Sequence, residues 1–222
     1  ACRIAFEGGW STVKLYFMIG LPTETDEDLE GIADLAHKVL HTWRQHASNK
    51  NRGVKITVSA SCFVPKPWTP FQWFPQNSRE EFRRKALYLR EKITARAVTY
   101  NWHEPDTSYL EAVFARGDRR LGRAIETAWR RGARLDGWSD YFHFDLWMQA
   151  LADSGIDPDF YAARVRSPEE ILPWDHISTG VSKRHLLHEW ECALKAQISP
   201  DCRVKCTGCG ANKLLCGGVC DA

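Results

Sequence analysis

The segment Val13-Lys14-Leu15-Tyr16-Phe17-Met18-Ile19 constrains this chain more than any other stretch. It is rich in β-branched and aromatic residues and is closed by Gly20-Leu21-Pro22, so it is too short for a core helix and reads as a buried strand. The residues after it fix its setting. Glu24-Thr25-Asp26-Glu27-Asp28 precede apolar residues at Leu29, Ile32, Ala33, Leu35, Ala36, Val39 and Leu40. That spacing predicts a helix whose acidic first turn suits the positive end of its dipole. Asn49-Lys50-Asn51-Arg52-Gly53 is turn chemistry, and Val54 to Ser61 alternates as a second strand. A strand, a helix and a strand at these lengths make a βαβ unit, so the two strands should be parallel.

Beyond Ser61 the pattern changes. Cys62-Phe63-Val64-Pro65-Lys66-Pro67-Trp68-Thr69-Pro70-Phe71-Gln72-Trp73 holds three prolines that forbid regular structure, so it should be an ordered loop. Helices are expected over 79–100, 108–115, 119–131, 138–152 and 183–197, with no further strand. The sequence shows no internal repeat and no low-complexity tract. Its 222 residues correspond to one good domain and an appendage at about 150 residues per domain. With 44% hydrophobic and 26% charged residues, disorder and coiled coil are excluded. No run approaches the ~18 apolar residues of a membrane span. Ala1-Cys2-Arg3-Ile4-Ala5-Phe6 has no signal-peptide character and looks like a chain entered in the middle.

A net charge of +2 creates no global field that would demand nucleic acid or an anionic membrane. The stretch 79–134 does carry 14 basic against 8 acidic residues, and that excess either faces an anionic partner or is a solvated helical surface. Of eight cysteines, Cys202, Cys206, Cys209, Cys216 and Cys220 crowd the end, whereas Cys2, Cys62 and Cys192 are scattered. Secretory disulfides do not cluster this way, so a reducing, cytoplasmic setting and a metal or cluster site are expected. Cys206-Thr207-Gly208-Cys209-Gly210 is a metal knuckle, with two thiolates two residues apart and glycines that permit the tight turn. Cys202, Cys206, Cys209 and Cys220 are the expected ligands, with Cys216 spare in an apparent insertion over 211–218. Four thiolates suit an auxiliary [4Fe-4S] cluster or a structural zinc, which sequence cannot separate, and disulfides or free thiols are the remaining reading.

In parallel α/β sheets, ligands sit outside the carboxyl ends of the strands. A glycine at such an end lets backbone approach a ligand, and the helix start beyond it offers unpaired N-H groups. Tyr16-Phe17-Met18-Ile19-Gly20-Leu21-Pro22-Thr23-Glu24 occupies that place and resembles the fifth-strand segment of radical S-adenosylmethionine (SAM) enzymes. In their pattern of glycine, x, isoleucine, x, glycine, x, x, glutamate, Gly20 is the second glycine and Met18 stands in the isoleucine slot. Tyr16 replaces the first glycine, and Glu24 lies one residue beyond the glutamate slot. Lys14-Leu15-Tyr16, the proline-aromatic loop, Arg116-Gly117-Asp118-Arg119-Arg120, Asp136-Gly137-Trp138 and Pro173-Trp174-Asp175-His176-Ile177 extend the resemblance to the B12-binding-type radical SAM proteins.

The resemblance implies that residues 13–75 are the last two strands of a partial (β/α)6 barrel, and it divides the chain into three segments. Residues 1–78 would be the end of the barrel, 79–198 a helical appendage and 199–222 a cysteine-rich tail. Met18, Ile19, Gly20, Leu21, Pro22 and Glu24, with Phe63 and Val64, would line the SAM pocket. The catalytic [4Fe-4S] cluster of these enzymes uses C-x3-C-x2-C after the first barrel strand, upstream of Ala1, as would any cobalamin domain. The resemblance assigns no catalytic residue to this chain, the substrate is unknown, and the chain alone should be inactive. Cys202, Cys206 and Cys209 share the cluster spacing but follow a helix and Pro200, the wrong context for it.

The remaining candidates have plainer readings. His143, His176, His185 and His188 are expected to be exposed or satisfied histidines, and Trp129, Trp138 and Trp147 to be packing residues on helices. Trp68, Phe71 and Trp73 either cover a cofactor or pack against the appendage. The rival reading of the whole chain is a non-enzymatic zinc-knuckle module that docks RNA or a ribosomal particle through its arginine-rich helices.

Overall fold

The computed structural model describes residues 1–211. The chain divides into two compact units, 1–63 with 77–109 and 64–76 with the described residues from 110 onward.

In the first unit the expected βαβ forms, and a third strand joins it. A short helix α1 (Cys2–Glu7) leads into β1 (Thr12–Ile19), α2 (Asp26–His46), β2 (Lys55–Cys62), α3 (Arg79–Lys92) and β3 (Val98–Trp102). The sheet order is β1-β2-β3 and both pairings are parallel, with Thr12 opposite Lys55 and Ile56 opposite Val98. Helix α2 starts where its acidic residues predict. Thr25 Oγ1 accepts the Asp28 N-H while the Asp28 carboxylate accepts that of Thr25, a reciprocal cap on two orphan donors. Helix α3 is shorter than predicted, and β3 replaces the end of the predicted helix. Val98-Thr99-Tyr100 is β-branched and aromatic, and pairing with β2 overrides the helical run preceding it.

Alternate β2 residues Ile56, Val58, Ala60 and Cys62 point into two apolar clusters beneath α1, α2 and α3. Phe6, Leu29, Ala33, Val39, Leu40, Phe82 and Leu89 complete those clusters. On the other face Tyr16 and Met18 are 74% and 49% exposed, and Thr57, Ser59 and Ser61 alternate with the buried β2 residues. The sheet is thus covered on one side by helices and open on the other.

A boundary near residue 78 would cut β3 from its partner, whereas the packing keeps α3 and β3 with the sheet and gives the proline-aromatic loop to the second unit. Helix α4 (Pro105–Ala115) carries the chain onward to α5 (Leu121–Arg130), α6 (Phe144–Asp153), the single turn α7 (Asp159–Ala162) and α8 (Lys183–Leu194). The loop is ordered by this second unit. Trp73 is fully buried with Leu172, Trp174 and Leu186, and its ring lies 5.6 Å from that of Trp190. Gln72 Oε1 accepts both the Trp174 indole N-H at 2.7 Å and the Trp68 N-H at 3.1 Å. Of the two readings of the loop aromatics, packing is therefore the one Trp73 follows.

Two fully buried arginines tie this unit together. Arg116 donates to the Phe74 and Arg164 carbonyls, and Arg166 donates to the Arg116 carbonyl while its own N-H reaches Trp73 O. Burial, then the neighbouring Arg166, pulls Arg116 down to about 9, which still leaves it charged at neutral pH. The tryptophans divide. Trp147 packs edge-on against Phe114 at 5.3 Å, but Trp129 and Trp138 are 54% and 69% exposed. The buried stripe of α5 is Leu121, Ala124 and Ala128, which places Trp129 a quarter-turn off it under the Arg134 guanidinium. Trp138 lies outside α6 altogether.

Trp73→Ala should cost about 3–5 kcal/mol in chemical denaturation, whereas Trp129→Ala should stay within about 0.5 kcal/mol. Asp118 supplies a pH signature. Its hydrogen bonds to Arg120 lower its pKa from 3.8 to about 2. Its contribution to stability is therefore complete above pH 3.8 and disappears as pH falls towards 2. Asp118→Asn should abolish that part of the acid unfolding limb, measured as denaturation midpoint against pH.

Candidate functional site

The carboxyl ends of the strands hold the first site. Gly20 follows β1 with φ +83°, a conformation that L side chains rarely adopt. A Cβ on it would lie 2.3 Å from Phe82 Cε1 and 3.2 Å from Asn77 Oδ1. Its N-H donates to Glu24 Oε2 at 2.7 Å, and the Lys85 ammonium donates to the same oxygen at 2.8 Å. The two side chains are only 4% and 6% exposed, so one buried carboxylate binds the turn after β1 to α3. Phe63 N donates to Ile19 O at 2.8 Å and holds the ends of β1 and β2 in step.

The expected SAM-lining residues are not equivalent. Met18 lies on the open sheet face. The Ile19 side chain, one residue on, is fully buried in the helix-covered core and offers only backbone. Gly20, Leu21 and Pro22 form the turn, and Glu24 braces it from within. Phe63 is buried in the first unit, and Val64 is buried at the start of the second.

Lys85 and Asn77 are site residues that the motifs do not point to. Lys85 sits among Phe82, Ala86 and Leu89 on the buried stripe of α3, and a charge at an apolar position is a legible sign of a buried partner. The Asn77 Oδ1 is buried with no hydrogen-bond partner among the described residues, so beside Gly20 it is an acceptor open to an N-H or O-H donor. Beneath them, burial raises the Tyr100 phenol far above its ordinary value, with the Cys62 thiol adding to the shift. Tyr100 thus stays protonated.

The second site lies in the other unit. Cys206 and Cys209 form the expected knuckle. Gly208 N-H donates to Cys206 Sγ and Ala211 N-H to Cys209 Sγ, each at 3.4 Å. Gly210 (φ +98°) brings its backbone so near Gly180 that a Cβ would sit 2.6 Å from the Gly180 oxygen, and Ser182 N-H donates to Cys209 O at 2.8 Å. The knuckle is thereby docked on the start of α8. Cys202 is exposed in the turn before it, while Cys216 and Cys220 lie outside the described residues. Among the described residues no three Cys, His, Asp or Glu side chains converge on one point. His185 and His188 line a cleft of about 270 Å³ with Ser182, Arg184, Thr207 and Gly208, so two histidines that read as plain surface residues face the knuckle.

Several arginines of the 79–134 stretch are ion-paired within the chain. Arg79 and Arg83 pair with Asp106, Arg84 with Asp26 and Glu81, Arg120 with Asp118, Arg130 with Glu126 and Arg131 with Asp153. Among the described residues no helix is long and apolar enough to cross a membrane.

Removing one partner of the Glu24 and Lys85 pair strands a buried charge. Glu24→Gln and Lys85→Met should each cost about 3–5 kcal/mol. The double variant should cost at least about 1 kcal/mol less than the sum. A urea double-mutant cycle measures this, and simple additivity would contradict the pairing.

No family model matches the chain, and no solved structure does. An uncharacterized protein of the archaeon Methanocaldococcus jannaschii is 30% identical over 160 residues, which is 70% of this chain and 32% of that protein. The chain therefore spans about a third of the length of that relative.

Proposed function

We propose that this chain is part of a radical SAM enzyme, contributing βα units to a partial (β/α)6 barrel. The observation that carries the reading is the open face of the sheet. All-parallel sheets are covered on both sides almost without exception, yet here Lys14, Tyr16 and Met18 of β1 and Thr99 and Asn101 of β3 are exposed. In a barrel, that polar face is the inner wall. Among the described residues no strand pairs with the outer edge of β1, which leaves a place for a further strand.

The residues at the strand ends fit a nucleoside-like ligand. The turn at Gly20 brings backbone to the carboxyl end of β1, and Asn77 Oδ1 supplies an acceptor for a ligand donor. Glu24 and Lys85 position this turn and, buried against each other, do not themselves face the ligand. Tyr16 and Met18 give the wall apolar contact, and Ser59 gives it a hydroxyl. SAM together with a reduced [4Fe-4S] cluster supplies a hydrogen-abstracting radical when bound. The tail is read as a metal centre whose inner pair is Cys206 and Cys209. Cys202 and Cys220 are the sequence candidates for its other places, and zinc or an auxiliary cluster is the occupant.

The test is equilibrium binding of SAM to the anaerobically purified full-length protein. A bulky residue at Gly20 is a poor probe, because its Cβ collides with Phe82 and unsettles the fold. Met18→Lys alters only the exposed face and should weaken binding about tenfold or more, a loss of about 1.4 kcal/mol. Wild-type affinity in Met18→Lys and Tyr16→Ala together, or no SAM binding at all, would remove the proposal.

A further inference from the structure

The segment after α8 doubles back along that helix. Ala196, in the left-handed region (φ +52°), ends the helix, and Gln197 N-H returns to Cys192 O at 2.9 Å. Ser199 Oγ then donates to both Glu189 carboxylate oxygens, at 2.7 and 2.8 Å, and Cys209 O meets Ser182 N-H. Fastened at both ends in this antiparallel course, Thr207 and Gly208 of the knuckle are held across the cleft from His188.

The knuckle and helix α8 each carry a pair of possible ligands, and of the four His188 lines the cleft, opposite Thr207 and Gly208 of the knuckle. On the knuckle, each cysteine sulfur accepts a backbone N-H from two residues further on, which fixes the two sulfurs in one tight turn. On α8, His188 and Cys192 stand four residues apart on one helical face, with Nε2 and Sγ 3.6 Å apart. A tetrahedral zinc with bonds of about 2.0–2.1 Å to nitrogen and 2.3 Å to sulfur places adjacent ligand atoms about 3.6 Å from each other. The helical pair already has that spacing. The spacing C-x2-C followed or preceded by two ligands three intervening residues apart is that of compact zinc sites. His185, the other histidine on the cleft, is engaged by Glu189 at 3.8 Å.

We propose that Cys206, Cys209, His188 and Cys192 together bind one zinc ion, which clamps the knuckle to α8. This rests on the knuckle reading of the tail and is independent of the SAM pocket. It gives α8 the two places for which sequence offered Cys202 and Cys220. One imidazole among three thiolates also selects zinc over a [4Fe-4S] cluster, whose ordinary ligand set is four cysteines. The two halves stand apart in the structure, so binding requires side-chain rotation across the cleft. Three thiols give up their protons on binding, which makes affinity fall with pH.

The experiment is zinc titration of the reduced full-length protein, read by metal analysis and X-ray absorption. The expected result is one zinc with a mixed shell of one nitrogen near 2.0–2.1 Å and three sulfurs near 2.3 Å. His188→Ala and Cys192→Ala should each lower affinity at least about tenfold, and Cys202→Ala should not. His188→Cys should keep the metal while converting the shell to sulfur alone, which separates loss of a ligand from loss of folding. A four-sulfur shell with wild-type affinity in His188→Ala would overturn the inference and leave the knuckle standing. Failure of the reduced protein to hold any metal would remove the knuckle reading as well.

Discussion

A single buried carboxylate organises the end of the sheet. Glu24 takes the Gly20 N-H and the Lys85 ammonium on one oxygen, so a turn after β1 and a helix 61 residues further along are fixed to the same atom. Neither charge would be tolerated alone in that position. The turn also has no room to relax elsewhere, because Phe82 from the same helix packs against the one face of Gly20 that a side chain would fill. Strand, turn and helix therefore stand or fall together. The Asn77 oxygen beside them is buried with no hydrogen-bond partner among the described residues.

The open sheet face is a product of the same construction. Helices α1, α2 and α3 all lie on one side, and their apolar residues consume the inward-pointing half of β2. The other half of each strand is polar or amphipathic, with Thr57, Ser59 and Ser61 in the central strand. A face built to meet a second apolar layer would carry Val, Ile and Leu there. Small hydroxyl residues beside Tyr16 and Met18 suit a face that meets solvent rather than a second apolar layer.

Legibility in the sequence tracks how local the deciding force is. The β1, α2 and β2 elements depend on periodicity and capping within about 50 residues of chain, and they stand where those signals place them. Strand β3 is hidden because Arg79 to Lys92 is strongly helical and the short Val98 to Trp102 run becomes a strand only by pairing with β2. Trp129 misleads for a similar reason. It adjoins the apolar positions of its helix, but the packing stripe of α5 is Leu121, Ala124 and Ala128, which leaves Trp129 one position off it. Lys85 is readable in principle, since a lysine between Phe82 and Leu89 on an apolar stripe demands an acid somewhere. Which acid it meets is a tertiary fact. The same holds for His188, whose meaning depends on the chain turning back at Ala196.

The motifs of the helical half gain a physical sense from the second unit. Arg116, Trp174 and the loop residues Gln72 and Trp73 share one buried centre, in which arginines satisfy carbonyls and Gln72 joins two indole-bearing segments. Two buried guanidiniums in such a centre are costly unless their donors are used. They are used in part, on the carbonyls of Phe74, Arg164 and Arg116, while Arg116 Nε and two Arg166 nitrogens have no partner among the described residues. The one bond to the end of the loop, from Arg116 to Phe74 O, fastens it to the helical unit. Exchange of Arg116 for lysine would keep the charge but lose the planar fork that reaches two carbonyls at once. Arg116 and Trp174, which in the sequence stand only as parts of longer motifs, are thus packing and fastening residues of the second unit.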